Sequence, residues 1–79
     1  MKMNGKTRIE MFVQIEKVIQ AAQKNKVYPK IYKGENVDIL ITAIYRDLEK
    51  REELIKMIAI VNGKEFKIPN IQIIRRKDN

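Results

Sequence analysis

Asn62-Gly63 sits between two segments in which apolar and polar residues alternate, and this placement constrains the fold more than any other feature of the chain. Both residues tolerate the positive φ angles of a type I′ turn, whose twist matches that of the strands it joins. Leu54–Val61 and Glu65–Ile68 therefore read as an antiparallel hairpin, with Phe66 and Ile68 inward and Glu65 and Lys67 outward. Pro69-Asn70 is expected to turn the chain into a last short strand, Ile71 to Arg75.

The same period of two extends upstream. Val27 to Lys33 alternates, with Val27, Pro29 and Ile31 on one side and Tyr28, Lys30 and Tyr32 on the other. Pro29 cannot donate to a ladder, so this strand belongs at an edge or a bulge. Gly34-Glu35-Asn36 makes a turn, and Val37 to Arg46 forms the next strand. Val37, Ile39, Ile41, Ala43 and Tyr45 share one of its faces; Leu40 and Ile44, on the other, suggest that both sides are partly covered. Asp47 to Glu53 is a charged run that forks the reading. As a helix, 47–58 would align Leu48, Arg51, Leu54, Ile55 and Ile58; as a loop it joins two strands. The loop is preferred, because Leu54 to Val61 is short, apolar and rich in isoleucine.

Before Lys26 the period is helical. Thr7 followed three residues later by Glu10 is a capping-box pattern, and a helix from about Arg8 to Lys24 is expected. Met11, Phe12, Ile15, Val18, Ile19 and Ala22 fall on one stripe, with Glu10, Gln14, Lys17, Gln20 and Lys24 on the wet side. Residues 1–6 and 76–79 are expected to be disordered. The fold class is α+β: one domain over residues 1–79, an N-terminal amphipathic helix followed by a five-strand antiparallel small β-barrel of the Sm/SH3-like kind, since a short meander escapes open edges by curling.

Composition narrows the chemistry. The chain has no cysteine, histidine, serine or tryptophan, so disulfides, thiolate or imidazole metal sites and the usual nucleophile–base pairs are out of reach. The expectation is a binding protein without catalytic activity and without cofactor or metal. Four carboxylates, Asp47, Glu49, Glu52 and Glu53, interleave with Arg46, Lys50 and Arg51, which cancels much of the field of that loop and is the spacing of a solvated surface. A net charge of +7 on 79 residues favours nucleic acid or an acidic protein as partner, although it also keeps a small domain dispersed. No signal peptide or membrane-length apolar run is visible, and a cytoplasmic location is expected.

Two clusters are candidate nucleic-acid sites. Lys26, Tyr28, Lys30 and Tyr32 alternate rings with ammonium groups, which together can stack bases and neutralise phosphates. Arg75, Arg76 and Lys77 form a basic tail suited to phosphate oxygens. The plainer alternative is tyrosines on a barrel wall and lysines that serve solubility. Two further readings stay open: a phage- or host-encoded module that docks on and modulates an enzyme, or a homo-oligomer that binds a small phosphorylated ligand. The helix stripe either packs on the sheet or serves as a dimer or partner face.

The amphipathic helix ending near Lys26, the segment Tyr28-Pro29-Lys30-Ile31-Tyr32-Lys33, the strand ending Ile41-Thr42-Ala43-Ile44, and the run from Gly63 to Ile74 together resemble the YolD-like family of small bacterial and phage proteins, related in fold to Sm-like barrels. The resemblance spans roughly Ile9 to Arg75 and rests on apolar positions and turns. It implies a non-enzymatic accessory protein, with family members associated with error-prone repair polymerases and Sm-like relatives that form rings and bind RNA. Thr42 and Ala43 stand where such barrels often bend at a glycine.

Overall fold

The computed structural model describes residues 4–24 and 26–74. It contains one helix, α1 (Gly5–Gln23), and five strands: β1 (Ile31–Tyr32), β2 (Asp38–Asp47), β3 (Glu52–Val61), β4 (Lys64–Lys67) and β5 (Ile71–Ile74). All pairings are antiparallel, in the order β1-β2-β3-β4, with β5 also on β3. The α+β order read from the sequence is therefore present. The expected closure into a barrel is not: the sheet is open, and among the described residues no ladder joins β1 to β4 or β5.

The reason lies in the last two strands. β4 pairs with β3 at Ile58–Val61 and β5 pairs with β3 at Glu52–Ile55, both antiparallel, so β4 and β5 run in line along one edge. Pro69-Asn70 does not turn the chain as expected; it interrupts an edge strand. Pro69 supplies no N–H, and the three residues 68–70 pass only Lys56 and Met57, a one-residue excess that breaks the ladder. Two ten-residue strands joined by a hairpin set the long axis, and the molecule measures 43 × 18 × 18 Å.

The charged run is a hairpin loop. Asp47 pairs with Glu52, and the Asp47 Oδ1 accepts the backbone N–H groups of Glu49 and Lys50 at 3.1 and 3.2 Å. Arg51 takes a positive φ of 56° to return the chain. Asn62 and Gly63, at φ 51° and 76°, make the type I′ turn that the dipeptide demands.

One irregularity governs the sheet. Ile41 lies opposite Met57 but Ala43 lies opposite Lys56, so Thr42 is an extra residue in β2, a β-bulge. Its hydroxyl donates to the Lys56 carbonyl at 3.2 Å. Every residue beyond the bulge changes face. Ala43 and Tyr45, expected on the same face as Ile39 and Ile41, lie on the other one, and Ile44 and Arg46 take the Ile39 face opposite Ile55 and Glu53. Burying isoleucine in place of alanine removes more apolar surface from water, which favours the flipped register.

The core lies on the helix side of the sheet: Val37, Ile39 and Ile41 of the β2 arm, Ile55, Met57, Ala59 and Val61 of β3, Ile73 of β5, and Val18 and Ala22 of α1. The helix is rotated from its expected setting. Asn4, not Thr7, is its cap, with Oδ1 accepting the Thr7 N–H at 2.8 Å. Thr7 and Gln14 are buried, while Phe12, placed on the inner stripe, is 59% exposed. Met11, Ile15 and Ile19 do pack on the core. The rotation follows from what the 34–37 turn requires. Glu10 Oε2 accepts the backbone N–H groups of Asn36 and Val37 at 2.9 and 3.0 Å, and its Oε1 accepts Asn36 Nδ2 at 3.0 Å. The Asn36 backbone N–H, helped by these other donors and against some desolvation, holds the Glu10 carboxyl below the usual carboxylate range. Glu10 and Gln14 are expected on the wet side; instead Glu10 clamps the helix to the 34–37 turn and Gln14 is buried beside Gly34.

Gly34 is required by this close approach. A Cβ there would run into Glu10 Oε2, the Val37 carbonyl oxygen and Gln14 Nε2. Gly34→Ala is accordingly expected to lower stability by about 1–3 kcal/mol in urea unfolding. Gly5→Ala, whose Cβ meets nothing within 4 Å, should change it by less than about 1 kcal/mol. Equal effects of the two substitutions would contradict the clamp.

Candidate functional site

β1 is shorter than its alternation suggests. The last ladder bond on that edge runs from Ile41 N–H to the Lys30 carbonyl, 3.0 Å, and residues 26–30 leave the sheet there. Pro29 has no donor to continue the ladder, and Thr42 bulges at the position where the next bond would form. The chain between helix and sheet therefore stands off from β2, and a groove of about 470 Å³ opens between them.

Three cations border this groove: Lys26 and Lys30 from the free segment and Arg46 from β2. No carboxylate lies among its lining residues, and Thr42, Ala43 and Ile44 form its β2 wall. Lys26 and Lys30 are exposed. Clustered cations without intervening acids concentrate anions near a surface.

Tyr28 closes one end of the groove and anchors it. Its hydroxyl donates to Glu53 Oε1, and Arg46 Nε lies 3.6 Å from Glu53 Oε2. The Arg46 guanidinium also sits 6.0 Å from the centroid of the Tyr28 ring. Glu53 is fully buried, 0% exposed, and a carboxylate in such a place is tolerated only when charge and hydrogen bonds meet it. Burial first, and then the hydrogen bond to the Glu53 carboxylate and its charge, push the Tyr28 phenol well above the ordinary tyrosine value.

The sequence-derived candidates distribute unevenly over this site. Lys26, Tyr28 and Lys30 come together at the groove. Tyr32 does not join them: it lies opposite Ile39 on the inner face and packs against the core, where burial raises its phenol too. The four residues thus do not share one displayed strand face. Arg75, Arg76 and Lys77 lie outside the described residues.

The sequence reading names Arg46 and Glu53 only within a charged loop whose acids and bases cancel, and not as part of this site. Both fall in or beside the run taken as a frayed loop. A signal existed: Glu53, Ile55, Met57, Ala59 and Val61 follow one another at period two, which puts Glu53 in line with the buried face of β3. Arg46 could not be placed from alternation alone, since its face depends on the bulge.

Comparison with protein-family models, with characterised proteins and with solved structures finds no match.

The buried triad generates a stability test. Tyr28→Phe removes the donor to a buried carboxylate and is expected to cost about 1–3 kcal/mol at neutral pH. The sign of the pH effect follows from the raised phenol. The unfolded chain releases the Tyr28 proton near pH 10, whereas the folded chain retains it. This contribution is fully present below pH 10 and is lost as the pH rises above it. Urea midpoints from pH 7 upward should fall beyond pH 10 in the native protein and fall less in Tyr28→Phe. The same alkaline slope in both would show that the phenol is not held in this way.

Proposed function

We propose that the protein is a small, non-enzymatic, cytoplasmic accessory protein that binds nucleic acid through phosphate contacts in the groove bordered by Lys26, Lys30 and Arg46. The observation that carries this reading is the gathering of the exposed Lys26 and Lys30 around one groove with Arg46, whose guanidinium also meets the buried Glu53 behind the wall. Val27, 92% exposed, and Pro29 add apolar surface between the two lysines, against which a base can rest. Tyr28 offers one ring at the end of the groove, so stacking is limited to a single tyrosine rather than two. Contacts of this kind position a strand without reading its sequence. A link to DNA repair rests on the resemblance to the YolD-like family alone.

A second reading has its own observation. β2 carries no neighbouring strand beyond Ile41 on the groove side, among the described residues. An extended acidic segment of a partner protein could add to that edge while its side chains meet the three cations. The two readings use the same groove and differ in the polymer that fills it.

Fluorescence anisotropy of a mixed-sequence single-stranded oligonucleotide separates them. Three phosphate contacts give a log–log salt slope of about −2, so affinity should fall roughly twentyfold between about 50 and about 200 mM salt. The double charge reversal Lys26→Glu/Lys30→Glu should abolish binding, and Lys64→Glu/Lys67→Glu on β4 should leave most of it. No binding at about 50 mM salt would remove the nucleic-acid reading. Binding that ignores the groove variants would move the site elsewhere.

A further inference from the structure

No acid stands between Glu16 and Glu35 in the sequence, and five lysines do: Lys17, Lys24, Lys26, Lys30 and Lys33. Lys33 is met by Asp38 at 3.5 Å. The other four line two depressions that share one short connector. Lys26 and Lys30 border the groove along β2. Lys17 and Lys24, both exposed, border a second depression of about 320 Å³ between the end of α1 and the connector. Lys26 and Val27 line both, so the two depressions meet across these residues. The Lys26 N–H donates to the Ala21 carbonyl at 2.9 Å, which holds the connector against the helix end at this crossing. Tyr32, half-buried against the core, also lines the second depression. Glu16 does not: it lines the depression along Ile9, Phe12 and Val13 instead.

We propose that a single-stranded nucleic acid bound in the groove continues over Lys26 and Val27 into this second depression, where Lys17 and Lys24 meet two further phosphates. The inference rests on the nucleic-acid reading of the groove and extends its footprint from three cations to five. Phosphates recur along a strand, so a line of cations suits a polyanion better than a small ligand. A duplex keeps its bases stacked inside, whereas a single strand can lay bases into depressions and its phosphates along their rims. The apolar surface is placed for this: Val27, 92% exposed, stands at the crossing, Tyr28 lines the groove and Tyr32 lines the second depression. The path also favours nucleic acid over an acidic peptide. A peptide added to the edge of β2 would follow that strand and leave the second depression empty. The helix beside that depression makes its backbone bonds within itself and offers an added strand no ladder.

Fluorescence anisotropy with two single strands of different length separates this footprint from the groove. A strand of about four nucleotides fills the groove alone, and its log–log salt slope should be about −2. A strand of about twelve nucleotides spans both depressions. Its five phosphate contacts give a slope of about −3.5, a roughly hundredfold fall in affinity between about 50 and about 200 mM salt. Lys17→Gln/Lys24→Gln keeps helix propensity and should return the long strand to the shallow slope. The same variant should bind the short strand within about twofold of the native chain, which shows that it is folded. Lys64→Gln/Lys67→Gln on β4 removes the same charge and should leave the steep slope in place. A duplex of the same length should bind more weakly than the long strand. Equal slopes for the two strands, or a long strand indifferent to Lys17→Gln/Lys24→Gln, overturn the extended path but not the groove, which Lys26→Glu/Lys30→Glu tests by itself. A duplex bound as tightly as the single strand overturns it as well. Binding of neither strand removes the inference together with the reading beneath it.

Discussion

The bulge at Thr42 is the constraint on which the rest of the structure depends. One extra residue in β2 moves Ile44 and Arg46 to the inner face and sends Ala43 and Tyr45 outward. The outward Tyr45 then lies under the Lys56 ammonium, 5.6 Å from its ring centroid. The inward Arg46 meets Glu53, and Glu53 holds the Tyr28 hydroxyl. The bulge also ends the β1 ladder at Ile41, which lets residues 26–30 stand away from the sheet. Groove, cation cluster and buried triad are thus consequences of one register shift.

Two polar devices hold the chain to this arrangement at opposite ends of the sheet. Glu10 on α1 satisfies the N–H groups of the 34–37 turn, a job that a hydrophobic stripe could not do. These bonds, one exposed at Asn36 and one partly buried at Val37, set Glu10 toward the sheet and leave Phe12 in solvent. At the other end Glu53 ties the linker after the helix to β3. Replacing either carboxylate by an apolar residue would strand donors or loosen an anchor, so Glu10 and Glu53 serve structure in this basic chain.

Much of the fold was legible in the sequence, and the misses share a cause. Asn62-Gly63 identified its turn type from two residues, because no other common pair accepts both positive φ angles so readily. The isoleucine-rich run 54–61 resolved the charged segment before it as a hairpin loop. Helix and strands appeared in the expected order. What alternation could not reveal was any shift in its own phase. Thr42 carries no glycine or proline to mark a bulge, so Tyr45 and Arg46 were assigned to the wrong faces. The rotation of α1 was hidden for a related reason: Glu10 and Gln14 look like wet-face residues until the turn that needs them is in view. Of the candidate site, Lys26, Tyr28 and Lys30 were found by local pattern, whereas Arg46 and Glu53 belong to it only through pairing of distant segments.

The central claim is that the register shift at Thr42 builds the surface with which the protein works. Amide chemical-shift mapping of the isotope-labelled protein, titrated with a short single-stranded oligonucleotide at low salt, tests it most directly. The account predicts perturbations concentrated at residues 26–30 and 41–46, the two segments that border the groove. Perturbations confined to β4, to the helix stripe or to the chain termini would contradict it.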